Sequence, residues 1–427
     1  MTSTGPEQLY AWVWLPGATE PVVAGVLTRT DATFDSQPVV SFTYAASYRR
    51  RADAISLYNA ELPLRAGVFD PLRPGVAPGA LRPRSSLPIH GCLRDAAPDA
   101  WGRRVINLRL AVEVNRELSE LTYLRHSGSD RIGALDFQDS PTAYLPRGGD
   151  ATLEQLLHAA QLLEAGAALP DELAAAAGQG TSIGGARPKA LLRDGGRHLI
   201  AKFPSSTDTR PVVKSEAASM LLAAHVGLKV APVEVVRVGG RDVLLVERFD
   251  RGPAGTRRAV VSALTVLGEY ERGAHHASYV DLAESIRTGP WTRPADTLRE
   301  LFARMVFNVC VGNTDDHLRN HAAFWDGQRL TLTPAYDLEP VGRNTATASH
   351  AIALTRTERA SQLRVCRAAA ADFHLTAAQA DAAIDHTVST IETVWDDVCD
   401  QAHLTRAERD GLRGREVLNP YIFLPQA

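Results

Sequence analysis

Leu298, Leu301, Phe302, Met305 and Val309 recur at helical spacing, so the chain from Leu298 reads as a helix with one buried apolar face. That helix delivers the chain to the run Gly312-Asn313-Thr314-Asp315-Asp316-His317-Leu318-Arg319-Asn320. Leu330 to Thr333 then reads as a short strand, ending at Pro334-Ala335-Tyr336-Asp337-Leu338. Four residues separate Asp315 from Asn320, and Asp337 follows Asp315 by 22 positions. This is the layout of a phosphoryl-transfer site. Asp315 suits a base that accepts a proton from a hydroxyl nucleophile. Asn320 and Asp337 suit oxygen ligands that hold Mg²⁺ against nucleotide phosphates. The same residue types also suit an ordinary helix-to-hairpin turn, where Asn and Asp satisfy backbone groups.

Of 46 Lys and Arg, only Lys189, Lys202, Lys214 and Lys229 are lysines. Most basic positions thus tolerate arginine. Lys202 lies in the apolar run Leu199-Ile200-Ala201-Lys202-Phe203, which reads as a buried strand. A compact ammonium there suits the phosphates of ATP better than a guanidinium fork. Lys202 at a strand edge, with its stem buried and its head in water, is the alternative. Lys214 and Lys229 flank a helix and are expected to be solvated.

Residues 181 to 250 read as a small α/β region. Ala190–Leu192 and Leu199–Phe203 are strand-like, Lys214–His225 is helical, and Gly227 suits its C-cap. Val233–Val238 and Asp242–Phe249 flank Gly239-Gly240, a tight hairpin signal. Glu216 is placed either to orient Lys202 or to sit on the surface near a helix N-terminus. Phe249 suits either packing on an adenine ring or the core. Gly184-Gly185, before a strand, let backbone amides approach phosphates, as would any flexible loop.

The N-terminal part reads as β-rich, with strands at Leu9–Leu15, Val22–Leu27 and Val39–Tyr44. Pro63–Pro88 reads as irregular. Asp99 opens a helix running to about Leu110, and Leu145–Asp150 is a linker candidate. Another helix is expected at Leu153–Glu164. Thr376 and Thr405 each begin a capping-box pattern, so residues 360 to 416 should form several short helices.

Composition bounds the class. The chain has 427 residues, 45% hydrophobic and 22% charged, as in soluble globular proteins, and should form two or three units. A net charge of −3 gives no overall drive toward nucleic acid or acidic lipid. The four cysteines are widely spaced, without metal-ligand spacing, and Cys310 belongs to an apolar helical face. No signal peptide or membrane-spanning window is evident. A cytoplasmic location is expected.

Five ordered motifs resemble the HipA family of serine/threonine kinase toxins from bacterial toxin–antitoxin modules. They are Ser182-Ile-Gly-Gly-Ala-Arg-Pro-Lys189, Ala201-Lys202-Phe203-Pro204, Val246-Glu247-Arg248-Phe249-Asp250-Arg251, Asn313-Thr-Asp-Asp-His317 through Asn320, and Pro334-Ala-Tyr-Asp-Leu338. Pro98-Asp-Ala-Trp-Gly-Arg-Arg104 and Gly133-Ala-Leu-Asp-Phe137 are similar to N-terminal family elements. The resemblance implies an α+β, two-lobed, protein-kinase-like fold with an additional N-terminal β-rich subdomain and an all-helical C-terminal region. Residues 1–145 would form that subdomain, 146–260 the small lobe, and 261–427 the helical large lobe.

The resemblance also implies ATP and Mg²⁺. Asp315 resembles the catalytic base, and His317 a loop residue that supports it. Asn320 and Asp337 resemble the metal ligands, and Lys202 the phosphate-contacting lysine. Glu247 and Phe249 resemble the adenine-contacting hinge. Ser182 resembles a regulatory serine, phosphorylated in a loop with Gly184 and Gly185 that then leaves the ATP site. A new dianion beside phosphate-binding amides gives that switch a physical reason. Family members often carry Gln-Glu where this chain has Arg187-Pro188, and proline stiffens the loop.

The leading expectation is therefore an ATP-dependent serine/threonine protein kinase acting as a toxin. Its implied partners are a small helix-turn-helix (HipB-like) antitoxin, operator DNA reached through that antitoxin, and a protein substrate, with an aminoacyl-tRNA synthetase as a candidate. No membrane partner is expected. The competing readings are a small-molecule kinase acting on a sugar or antibiotic hydroxyl, and an inactive binding protein of the same family.

Overall fold

The computed structural model describes residues 7–73, 85–113, 116–149, 151–167, 187–343 and 345–425, together with 170, 173, 176, 178 and 181. The chain divides into two compact units. The first comprises residues 1–206, 248–261 and 324–329; the second comprises 207–247, 262–323 and 330–427.

The first unit carries an antiparallel five-stranded sheet. Its strands are β1 (Gln8–Val13), β2 (Val22–Phe34), β3 (Gln37–Tyr44), β4 (Val68–Phe69) and β5 (Leu135–Gln138), in the order β4-β3-β2-β1-β5. Leu9, Ala11 and Val13 alternate along β1 and are buried, with Leu27, Phe42 and Phe137 from its neighbours. The β2 strand runs seven residues beyond the expected Leu27. Its extension, Thr28 to Phe34, is polar except for Ala32 and Phe34, so no apolar alternation marks it. Asp35 and Ser36 close the β2–β3 hairpin, both at positive φ, the geometry of a two-residue primed turn.

Buried ion pairs lock the loops beside this sheet. Arg131 is fully buried and donates from Nε to Asp136 Oδ1 at 2.9 Å and from Nη1 to the Ala96 carbonyl at 3.1 Å. Asp250 accepts from Arg248 Nη2 at 2.8 Å, Arg251 Nη1 at 2.8 Å and the Gly133 amide at 2.7 Å. Asp130 accepts from Arg248 Nη1 at 3.1 Å and Arg251 Nη2 at 2.6 Å. The Arg-Phe-Asp-Arg motif at 248–251 thus serves as a charged rivet in this unit.

The Ala100–Arg109 helix begins as the sequence predicts. Asp99 caps it, accepting from the Gly102 amide at 2.8 Å. A Cβ at Gly102 would lie 2.9 Å from the Thr181 carbonyl oxygen, so this close approach requires glycine. The hairpin of β6 (Lys189–Asp194) and β7 (Arg197–Lys202) pairs Lys189 with Lys202 across the strands, turning at Gly195-Gly196. Like charges directly opposite repel. Asp99 offsets this by taking the Lys189 ammonium at 3.2 Å.

The second unit is mainly helical. Val212–His225 leads to the hairpin of β8 (Val233–Val238) and β9 (Arg241–Glu247), with Gly239 and Gly240 both at positive φ, as expected. Its core centres on the Pro294–Val311 helix, where Phe302, Met305, Val306, Phe307, Val309 and Cys310 are fully buried. Both expected capping boxes form, at Thr376 and Thr405. The helix after Thr376 is long, not short: it runs 25 residues, Ala377–Gln401. Lys214 also departs from the sequence reading. It is buried, and its ammonium meets Glu408 Oε2 at 2.6 Å. Glu216 is buried as well, which removes its reading as a surface charge.

All four cysteines are free and buried. Among the described residues, no helix is long and apolar enough to cross a membrane.

Candidate active site

The Pro294–Val311 helix starts with Pro294 at its first turn and ends at Gly312, which adopts φ +71°. Gly312 has no freedom to change. A Cβ there would sit 2.7 Å from the Glu416 carbonyl oxygen, in a backbone region that L side chains rarely adopt. Gly312→Ala is expected to cost about 1–3 kcal/mol, read as a lower urea midpoint with an unchanged slope.

Beyond Gly312 the backbone turns and presents Asp315 to solvent. Asp316, its neighbour, points the other way and is 1% exposed. His321 Nε2 lies 3.1 Å from Asp316 Oδ2, and the Tyr279 hydroxyl donates to the same oxygen. Burial works against the Asp316 charge, but His321 and the Tyr279 hydrogen bond outweigh it and hold the carboxyl below its usual range. Burial also drives His350 down to about 4, so this histidine stays neutral near pH 7. His317 is half-buried, and the Asn320 amide donates to its carbonyl at 2.8 Å. Asn320 is 9% exposed.

Asp337 takes φ +59°, a left-handed conformation that is uncommon outside glycine, asparagine and aspartate. Its flanks are tied down. The Ala335 amide donates to the Lys229 carbonyl at 2.7 Å, and the Val341 amide donates to the Gly312 carbonyl at 3.0 Å. Arg304, fully inside, donates to the Thr333 carbonyl at 2.8 Å. The Tyr336 hydroxyl donates to the Arg319 carbonyl at 2.6 Å. Tyr336 precedes Asp337 and Arg319 precedes Asn320, so this bond joins the chain neighbours of the two candidate metal ligands.

The donor set is a carboxylate and an amide oxygen, hard ligands of the kind Mg²⁺ takes when phosphates complete its shell. Among the described residues, no group of three His, Cys, Asp or Glu could hold a metal.

The other predicted residues are distributed as follows. Glu247 ends β9 in the second unit and is exposed, its amide donating to the Pro232 carbonyl at 2.8 Å. Lys202 ends β7 in the first unit and is half-buried. Phe249, also in the first unit, meets Phe324 edge to face with centroids 5.7 Å apart. Ser182, Gly184 and Gly185 lie outside the described residues. Sequence reasoning missed Tyr279, Asn308 and Asp316 as parts of the site. The second aspartate of the Asp315-Asp316 doublet was the available signal: one is exposed, the other buried.

Comparison with known proteins agrees with this architecture. Residues 181–395, half of the chain, match the HipA-like C-terminal domain, and residues 13–138 match the HipA N-terminal domain. The chain belongs to the HipA family. It is 35% identical over 147 residues to "Putative kinase Y4mE" of Sinorhizobium fredii, covering 33% of each chain. It is 28% identical over 186 residues to the serine/threonine-protein kinase toxin HipA of Shewanella oneidensis, covering 38% of this chain and 43% of that one. The aligned regions thus span 33% and 43% of these relatives, less than half of either. A chain from the Shewanella oneidensis complex of HipA, HipB and operator DNA shares the α+β fold, with a TM-score of 0.68 at 18% identity over 97% of this chain and 100% of the other.

Proposed function

We propose that this chain is an ATP-dependent serine/threonine protein kinase and the toxin of a toxin–antitoxin module. The observation that carries this reading is the arrangement of the 313–321 loop. Asp315 is exposed, while its neighbour Asp316 anchors the backbone beneath it. Asp315 would take the proton from a serine or threonine hydroxyl as that oxygen bonds to the γ-phosphorus. The bond from the γ-phosphorus to the bridging oxygen breaks, and ADP leaves. Asn320 and Asp337 would hold Mg²⁺, which neutralises phosphate charge. Lys202 would contact the phosphates, and Glu247 and Phe249 the adenine. His317 would brace the base.

Ser182 is the proposed site of regulatory autophosphorylation, with Gly184 and Gly185 in the same loop. The relative seen with HipB and operator DNA supports a helix-turn-helix antitoxin as partner, through which operator DNA is reached. The net charge of −3 agrees with DNA contact made mainly by that partner. The four buried free thiols agree with a reducing, cytoplasmic setting.

Intact mass after incubation with Mg·ATP tests the reading. One added phosphoryl group is expected on wild type and none on Ser182→Ala or Asp315→Ala. No addition to wild type, with ATP still bound, would defeat autoregulation. Phosphate appearing on a metabolite and never on protein would turn the reading to a small-molecule kinase.

A further inference from the structure

One buried phenol underlies the whole 313–321 loop. Tyr279 is fully buried and donates its hydroxyl proton to Asp316 Oδ2. The same hydroxyl accepts from Asn308 Nδ2 at 2.9 Å, and Asn308 Oδ1 accepts from Asn313 Nδ2 at 3.1 Å. The His321 ring stands edge-on to Tyr279, centroids 5.3 Å apart, and its Nε2 reaches the same carboxylate oxygen. Hydrogen bonds thus run from the start of the loop at Asn313, through Asn308 and Tyr279, to its middle at Asp316. His321 joins them from its end.

Burying a carboxylate, a phenol and two amides is costly unless every group is paired. Apolar side chains would hold an ordinary helix-to-loop junction at lower cost. The places fixed explain the choice. Asp316 directly follows Asp315, and His321 directly follows Asn320. Anchoring 316 and 321 sets the backbone of 315 and 320 while leaving their side-chain oxygens free for chemistry. A loop held only at its ends would let those oxygens wander, and a misplacement of an ångström costs about a hundredfold in rate.

We propose that Tyr279 is the positioning residue of this site, acting through Asp316 and His321 on Asp315 and Asn320. The catalytic part of this inference rests on the phosphoryl-transfer reading; the anchoring itself does not.

The test compares the full chain as wild type, Tyr279→Phe and Asn313→Ala, by amide hydrogen exchange and by ATP-dependent phosphoryl transfer. Tyr279→Phe keeps the ring and removes only the hydroxyl. Exchange is expected to rise about tenfold or more at 313–321 while amides of the Pro294–Val311 helix keep their protection. Turnover is expected to fall about tenfold to a hundredfold, with KM for ATP within about twofold of wild type. Asn313→Ala, at the outer end of the chain of bonds, should reproduce the pattern at smaller size, and it alone decides if Tyr279→Phe does not fold. Exchange rising throughout the second unit, with turnover per folded molecule unchanged, would mark Tyr279 as merely structural and overturn the proposal. If wild type transfers no phosphate, the kinase reading fails and exchange decides the anchoring. A rise confined to 313–321 then sustains it, and unchanged protection there overturns it.

Discussion

Asp315→Asn is expected to lower phosphoryl transfer by about 10²–10⁴-fold, with the fold and nucleotide affinity retained. The size follows from losing the proton acceptor while the approximate shape of the side chain stays. Retention of the fold follows from what holds the loop. Asn313, Asp316, His321 and the Asn320 amide make those bonds, and the Asp315 carboxylate faces solvent. The measurement is single-turnover transfer from ATP beside a nucleotide-binding titration on the same preparation. Transfer within threefold of wild type would remove Asp315 from the role of base. Loss of nucleotide binding in parallel would show that the substitution disturbed more than the proton acceptor.

The largest effect on stability is expected at Asp250, far from Asp315 in sequence. Asp250 is 1% exposed and satisfies two arginines and the Gly133 amide. Asp250→Ala leaves the buried Arg248 and Arg251 without that shared partner. The expected loss is about 3–5 kcal/mol, read by urea unfolding. A pH signature accompanies it. Burial alone would raise the Asp250 pKa, but Arg248 and Arg251 overcome it and bring it down to about 2. A carboxyl whose pKa is lower folded than unfolded binds protons more weakly in the folded chain. Its stabilisation is therefore present above the unfolded value of roughly 3.9 and is lost as pH falls toward about 2. Asp250→Asn should flatten that part of the acid unfolding curve; an unchanged acid limb would remove Asp250 as its source.

What the sequence reveals is mostly local. Gly239-Gly240, the capping threonines 376 and 405, and the apolar face from Leu298 to Val309 each signal through residues a few positions apart, and each forms as expected. The extension of β2 escapes because its polar residues carry no alternation, and pairing with β3 supplies what the pattern lacks. The Ala377–Gln401 helix is longer than expected because its buried positions, Ala380, Thr387, Ile391, Trp395, Val398 and Cys399, are sparse and include alanine and threonine. Lys214 looks solvated in sequence because its partner Glu408 lies 194 residues away. The candidate site divides the same way. Asp315, Asn320 and Asp337 announce themselves by spacing. Tyr279, 37 residues upstream of Asp316, has no local mark of its role.

The division of the chain constrains how it can be made. The first unit draws its last segment from residues 324–329, where Trp325 Nε1 donates to the Ser56 carbonyl at 2.8 Å. Gly327 lies against Ile55, leaving no room for a Cβ. During synthesis, that unit lacks this segment until residue 329 has left the ribosome, and domains generally fold as units when their parts are available. The second unit needs residues through the C-terminal helices. Synthesis that stops before residue 329 therefore leaves a chain in which neither unit is complete.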